Sequence, residues 1–208
     1  MLKKFTLLLI GIGMIFAQFT WAAGNPEKGK ALYAVCVACH GPDGAGNKAL
    51  NSPRIAGQEI WYLERQLKNF KTGVRGANSK DVYGMQMRPM AMTLPNDQAI
   101  ADVAAYVNGL KAKPPVAKIK GDTSAGKAAY MICQTCHGAN GEGNKALNAP
   151  KLINQQDWYM VRQLKGFKEG LRGTHPKDVY GMQMRPMSLT LTDDKAINNV
   201  VSYIVTFK

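Results

Sequence analysis

CVACH, residues 36 to 40, and CQTCH, residues 133 to 137, hold all four cysteines of a 208-residue chain. The two words stand 97 residues apart, and at that offset residues 27 to 111 match 124 to 208 without a gap at 47 of 85 positions. Trp61 pairs with Trp158, Phe70 with Phe167 and Tyr106 with Tyr203, so the register reaches far beyond the cysteines. A self-match of this length is a duplicated domain. Two copies make neither a solenoid nor a propeller, so each unit needs a core of its own. A unit under a hundred residues has a marginal core unless a disulfide, a metal or a large prosthetic group staples it.

The words themselves supply a candidate staple. Cysteines three apart at a helix end share a face, so both sulfurs can bond one edge of a porphyrin while the next residue turns its imidazole toward the iron. C-x-x-C-H is the c-type haem attachment pattern. Three other uses of C-x-x-C compete with it. A four-cysteine zinc site would have to bridge the 93 residues between Cys39 and Cys133, and would leave both histidines unexplained. A thioredoxin-like pair needs a βαβ setting. Structural disulfides suit exported proteins, but do not account for a histidine at the same offset twice.

A six-coordinate haem iron needs a second ligand, and thioether sulfur raises its potential by favouring the ferrous state. KDVYGMQMRPM, residues 80 to 90, returns letter for letter at 177 to 187 and offers Met85, Met87 and Met90, then Met182, Met184 and Met187. Methionine also fills irregular cores, and M-x-M-x-x-M suits copper(I), so packing and soft-metal binding stay open beside ligation.

The remaining pattern is helical. Asn25-Pro26 reads as a cap and first turn, with a helix running on to the first cysteine. A second helix is predicted over about 58 to 72, with Trp61, Leu63, Leu67 and Phe70 mostly on one side and Gly73 ending it. A third is predicted over about 97 to 110, with Ile100, Val103, Ala104 and Val107 inward. The methionine stretch between them reads as a loop. KAKPPVAKIK, residues 111 to 120, carries two prolines and four lysines and reads as a linker. The expected organisation is a leader over 1–22, a first haem domain over 23–110, the linker over 111–120 and a second haem domain over 121–208. No segment alternates at period two, so the predicted class is all-α.

With these residues in place the chain resembles the cytochrome c4 family, exported two-haem class I cytochromes c, over nearly all of both halves. The resemblance is carried by Pro53-Arg54-Ile55-Ala56-Gly57-Gln58, Tyr62-Leu63-Glu64-Arg65-Gln66-Leu67, the methionine stretch, and Leu94 with Ile100 through Tyr106, each after its C-x-x-C-H. It implies two tandem class I domains, each wrapped around one haem c bonded to Cys36 and Cys39, or to Cys133 and Cys136. His40 and His137 would ligate iron on one side. In the family the ligand methionine precedes the leucine opening the last helix by seven residues. Counting back from Leu94 and Leu191 selects Met87 and Met184, and leaves the other methionines to pack against the porphyrin.

Pro53 and Pro150 match the proline whose carbonyl holds the proximal histidine. Tyr62, Arg65 and Gln66, with Tyr159, Arg162 and Gln163, are expected on the haem side or as packing residues. Ile153-Asn154 departs from Ala56-Gly57, and His175 stands where the first copy has Asn78; a lone loop histidine is ordinarily solvated.

Composition bounds the partners. Lys and Arg number 27 against 14 acids. Lys3 and Lys4 precede an uncharged apolar run and small residues near Ala22, the form of a cleaved secretory signal; a retained membrane anchor is the alternative. Without residues 1 to 22 the net charge is still +11. Such a field steers a periplasmic protein toward acidic redox partners such as an oxidase, a reductase or a dehydrogenase, with peripheral membrane contact left open. The basic residues are dispersed, so nucleic acid is not expected, nor is a small-molecule substrate. A histidine and a methionine per iron leave no open position, so a mobile electron carrier is the first expectation. An electron-accepting subunit of a dehydrogenase or sulfur-oxidising enzyme, or a two-haem peroxidase, are the alternatives.

Overall fold

The structure is a computed structural model and describes residues 23–208; the expected leader lies outside the described residues. Asn25 Oδ1 accepts from the N–H groups of Glu27 and Lys28 at 2.9 and 3.1 Å and starts α1, Pro26–Leu32. α2, Ala34–His40, follows at once. The helix expected to end near the first cysteine is instead interrupted at Tyr33, where Cys36 N bonds back only three residues, and then continues through both cysteines to the histidine.

α3 spans Ile60–Lys71 and ends before Gly73, whose φ of +78° an L side chain resists. The methionine stretch is helical, not a loop: α4 spans Val82–Met92, with Asp81 accepting from Gly84 N at 3.0 Å. Pro89 lies inside it and removes one rung of the ladder; the proline and Gly84 are why the sequence reads as a loop. α5, Asp97–Gly109, buries Ile100, Val103, Ala104 and Val107 as expected. The second copy repeats the order with α6, Thr123–His137, unbroken, then α7, Asp157–Lys168, α8, Val179–Leu189, and α9, Asp194–Ile204. Among the described residues the only ladder pairs are two isolated bridges, Asn47 with Ser52 and Asn144 with Ala149. The all-α expectation therefore agrees with the architecture.

The first and last helices of each copy cross at a glycine. A Cβ on Gly29 would lie 2.0 Å from Asp102 O, and one on Gly126 would lie 2.1 Å from Asn199 O, so α1 meets α5 and α6 meets α9 backbone to backbone. Each crossing is tied by repeat-related bonds: Asn25 N donates to Asp102 Oδ1 at 2.7 Å, and Asp122 N to Asn199 Oδ1 at 2.9 Å. Tyr33 against Tyr106 and Tyr130 against Tyr203, with ring centroids 5.3 and 5.6 Å apart, sit beside these crossings. There are accordingly two cores. One gathers Tyr33, Leu63, Leu94, Ile100 and Val103; the other Tyr130, Met160, Leu191, Ile197 and Val200.

The linker has no regular structure but is tied at both ends. Arg54 donates to Lys113 O at 2.7 Å and to Ala112 O at 3.2 Å. Asp157 Oδ2 accepts from Lys118 N and from Ile119 N. The two halves then meet where Arg75 of the first reaches Gln163 on α7 and Arg172 of the second reaches Gln66 on α3.

Candidate cofactor sites

Each half contains a cavity into which its own motif residues project. The first is lined by Cys36, Cys39, His40, Pro53, Met87 and Met90; the second by Cys133, Cys136, His137, Pro150, Met184 and Met187. All four thiols are free, with Cys39 and Cys136 exposed and Cys36 and Cys133 half-buried. The two cysteine pairs thus serve different cavities, which a shared zinc site would not allow. Burial pushes the Cys36 and Cys133 thiols up to about 11.

Helix geometry places the histidines. His40 and His137 end their helices, each followed by a glycine at positive φ that turns the chain away. The rings are buried, and Nδ1 of His40 lies 2.8 Å from Pro53 O while Nδ1 of His137 lies 2.7 Å from Pro150 O. A carbonyl oxygen only accepts, so the proton is on Nδ1 and the Nε2 lone pair remains as a neutral donor. Burial lowers both imidazole pKa values against the opposing effect of these bonds, which keeps the rings neutral at physiological pH.

Met87 and Met184 are half-buried on the cavity sides of α4 and α8. Met90 also lines its cavity but is 39 % exposed, whereas Met85 and Met182 line neither and are 47 % and 42 % exposed. His175 accepts from Lys177 N at 3.1 Å within a turn and lines neither cavity. Asn154 adopts φ +60°, close to the +68° of Gly57, so the Ile153-Asn154 departure keeps the left-handed residue at this point.

Each cavity is completed by the other half. Tyr62 and Arg65 line the second half's cavity, and Arg162 lines the first half's; α3 turns Leu63 and Leu67 to its own core and its opposite face outward. Arg65 donates to Asn148 Oδ1 at 3.0 Å and to Asn148 O at 2.9 Å, with its guanidinium 4.6 Å from the Tyr180 ring. Arg162 repeats this on Asn51, over Tyr83 at 3.9 Å. Asn51 and Asn148 hold φ near +58° and +57°, a conformation asparagine tolerates better than most residues.

At the centre, Gln66, Tyr159, Gln163 and Arg172 line both cavities. Arg75 bonds Gln66 Oε1 at 2.6 Å and Gln163 Oε1 at 3.4 Å, and Arg172 makes the reciprocal pair. Burial, together with the neighbouring Arg172 guanidinium, lowers the Arg75 pKa. The Nε atoms of Arg75 and Arg172 are buried without a partner among the described residues.

A haem is an apolar disc with carboxylates on one edge. Two largely apolar cavities, each with paired thiols, a neutral imidazole donor and unpaired guanidinium N–H groups at one wall, fit that group. The sequence reading did not single out Arg75 and Arg172. Their signal was the repeated Gly-Val-Arg-Gly and Gly-Leu-Arg-Gly, in which an arginine persists between glycines.

The family model for cytochrome c matches residues 26–111 and again 123–208. The chain is 36 % identical to cytochrome c4 of Azotobacter vinelandii, covering 97 % of both chains. It is 32 % identical to a thiosulfate dehydrogenase electron acceptor of Thiomonas intermedia, covering 90 % of this chain and 84 % of that one. The crystal structure of reduced recombinant cytochrome c4 from Pseudomonas stutzeri superposes with a TM-score of 0.73 at 33 % identity, over 89 % of this chain and 100 % of that one.

Proposed function

We infer the function from one premise: the chain belongs to the cytochrome c family, as a tandem pair of the cytochrome c4 kind. It binds two haem c groups covalently and is an electron-transfer carrier for redox protein partners. Haem, when bound, supplies a one-electron iron couple; the protein supplies anchoring, ligands, burial and docking.

Cys36 and Cys39, and Cys133 and Cys136, are the proposed anchors. His40 and His137 are the proposed nitrogen ligands, oriented by Pro53 and Pro150. Met87 and Met184 are the proposed sulfur ligands. Their half-burial against the cavities supports this in both halves, and the count back from Leu94 and Leu191 separates them from Met90 and Met187. The observation that carries the reading is the shared wall: four residues line both cavities, so two redox sites abut inside one interface. An enzyme active site needs an open position, whereas a histidine and a methionine in each half would hold the iron, which supports electron transfer without substrate chemistry of the chain's own.

The carrier works outside the cytoplasm, in the periplasm, after loss of residues 1–22. No helix among the described residues is long and apolar enough to cross a membrane. Val35, Leu50 and Val82 around one cavity, and Ile132 and Leu147 around the other, are exposed. Apolar rims within a basic surface suit docking on an acidic partner. A second reading, an electron acceptor held by one dehydrogenase, is favoured by the Thiomonas relative.

Redox titration of the purified full-length protein tests the first reading: two one-electron waves per chain are expected, and no carbon monoxide binding by the reduced protein. Carbon monoxide binding or peroxide turnover overturns it. Purification separates the second, since a stable heteromer marks a subunit and a free chain marks a shuttle.

A further inference from the structure

The peptide unit joining Pro150 to Lys151 is bonded at both ends. Its carbonyl accepts from His137 Nδ1 at 2.7 Å, and its N–H donates to Glu59 Oε2 at 3.0 Å. In the first half, the carbonyl of the Pro53–Arg54 unit accepts from His40 Nδ1 at 2.8 Å, and its N–H donates to Gln156 Oε1 at 2.9 Å. Glu59 and Gln156 are repeat-related, and each reaches across from the opposite half. The two arrangements therefore share their geometry and differ in one group, a carboxylate in place of an amide.

Hydrogen bonds in series polarise one another, and a charged acceptor does so more than a neutral one. An anionic acceptor on the peptide N–H places more negative charge on the Pro150 oxygen. That strengthens the bond from His137 Nδ1 and makes the ring a stronger donor at Nε2. The charge itself acts in the same sense through space, because it favours the more positive oxidised state.

Neighbouring cations offset part of this without removing the asymmetry. Lys151 lies close to Glu59 and bonds Gly57 O through Nζ. Arg54, its repeat counterpart, bonds the linker carbonyls and has Asp43 nearby. Arg54 and Lys111 also lie within electrostatic reach of Lys151, so cations stand beside both peptides, and only the second has a carboxylate bonded to it.

We propose that Glu59 is a positioning residue, belonging to the first half, that lowers the reduction potential of the second half's site through the Pro150–Lys151 peptide. This rests on the reading of His137 as an iron ligand.

The test is site-resolved redox titration of the full-length protein carrying both haems, with Glu59→Gln and Gln156→Glu. Glu59→Gln keeps the bond and removes the charge. One wave should rise, by about a threefold to tenfold change in oxidised-to-reduced ratio at fixed solution potential, about 30 to 59 mV for a one-electron couple. The other wave should stay in place. Gln156→Glu should lower that other wave. Variants with intact low-spin spectra and unmoved waves overturn the role of Glu59. So do two waves moving together, the mark of a loosened interface. Loss of the low-spin histidine–methionine spectrum in the unaltered protein overturns the site reading and this inference with it.

Discussion

Met87 and Met90 stand one helical turn apart and both reach the same cavity, so the choice of ligand is a question about single sulfur atoms. Met87→Leu should abolish the weak sulfur-to-iron absorption of the first site in the oxidised protein and lower its potential, while Met90→Leu should leave both unchanged. Visible spectra and titration of the two variants check this; the reverse result assigns Met90. At this scale the sequence was legible wherever covalent chemistry fixes spacing. Cysteines three apart with a following histidine admit few uses, and Pro53 and Pro150 stand at the matching offset behind them. Glu59 and Gln156 were not legible, and Arg75 and Arg172 left only the mark of an arginine kept between glycines in both copies, which names no partner. Nothing local tells whether a polar residue faces solvent or the other half of its own chain.

Among the helices, the crossing of α1 and α5 is fixed by Gly29 and by the bond from Asn25 N to Asp102. That bond holds the Asp102 carboxyl below the ordinary carboxylate range against the opposing effect of burial, with help from Gln98 and Lys28. A carboxyl lowered in the folded state adds stability that is fully present above its unfolded pKa and is lost as pH falls through the folded value. The second copy makes the same contact with the uncharged Asn199. Asp102→Asn should therefore cost about 0.5–1 kcal/mol near neutral pH, and the gap from the parent should close in acid. Chemical unfolding at about pH 7 and about pH 3 measures both parts. The last helix of the first copy was legible from its apolar period, and the structure adds the cap, Asn96 Oδ1 accepting from Ala99 N at 2.9 Å. The helical state of the methionine stretch was hidden by Pro89, a residue that ordinarily argues against a helix interior.

For the molecule as a whole, the linker is a tied strap, with Arg54 fastening its start and Asp157 its end. Asp157→Ala leaves the Lys118 and Ile119 N–H groups without their acceptor, at a cost of about 1–3 kcal/mol. Trypsin should then cut at Lys118 or Lys120 faster than in the parent, while the haem spectra stay unchanged; equal cleavage rates would show that the strap is held elsewhere. The duplication was legible from one offset, but the way the copies embrace was not, since a repeat fixes what each unit is and leaves open which faces meet. Arg65 clasps Asn148 as Arg162 clasps Asn51, each side offering the other the same patch. That is the isologous contact of a homodimer. Joined end to end, two such subunits no longer depend on meeting in dilute solution, because the tether holds each at high effective concentration for its twin. Fusion also releases them from identity: once one chain encodes both partners, a glutamate can stand where its counterpart keeps a glutamine, which no symmetric pair of identical subunits could arrange.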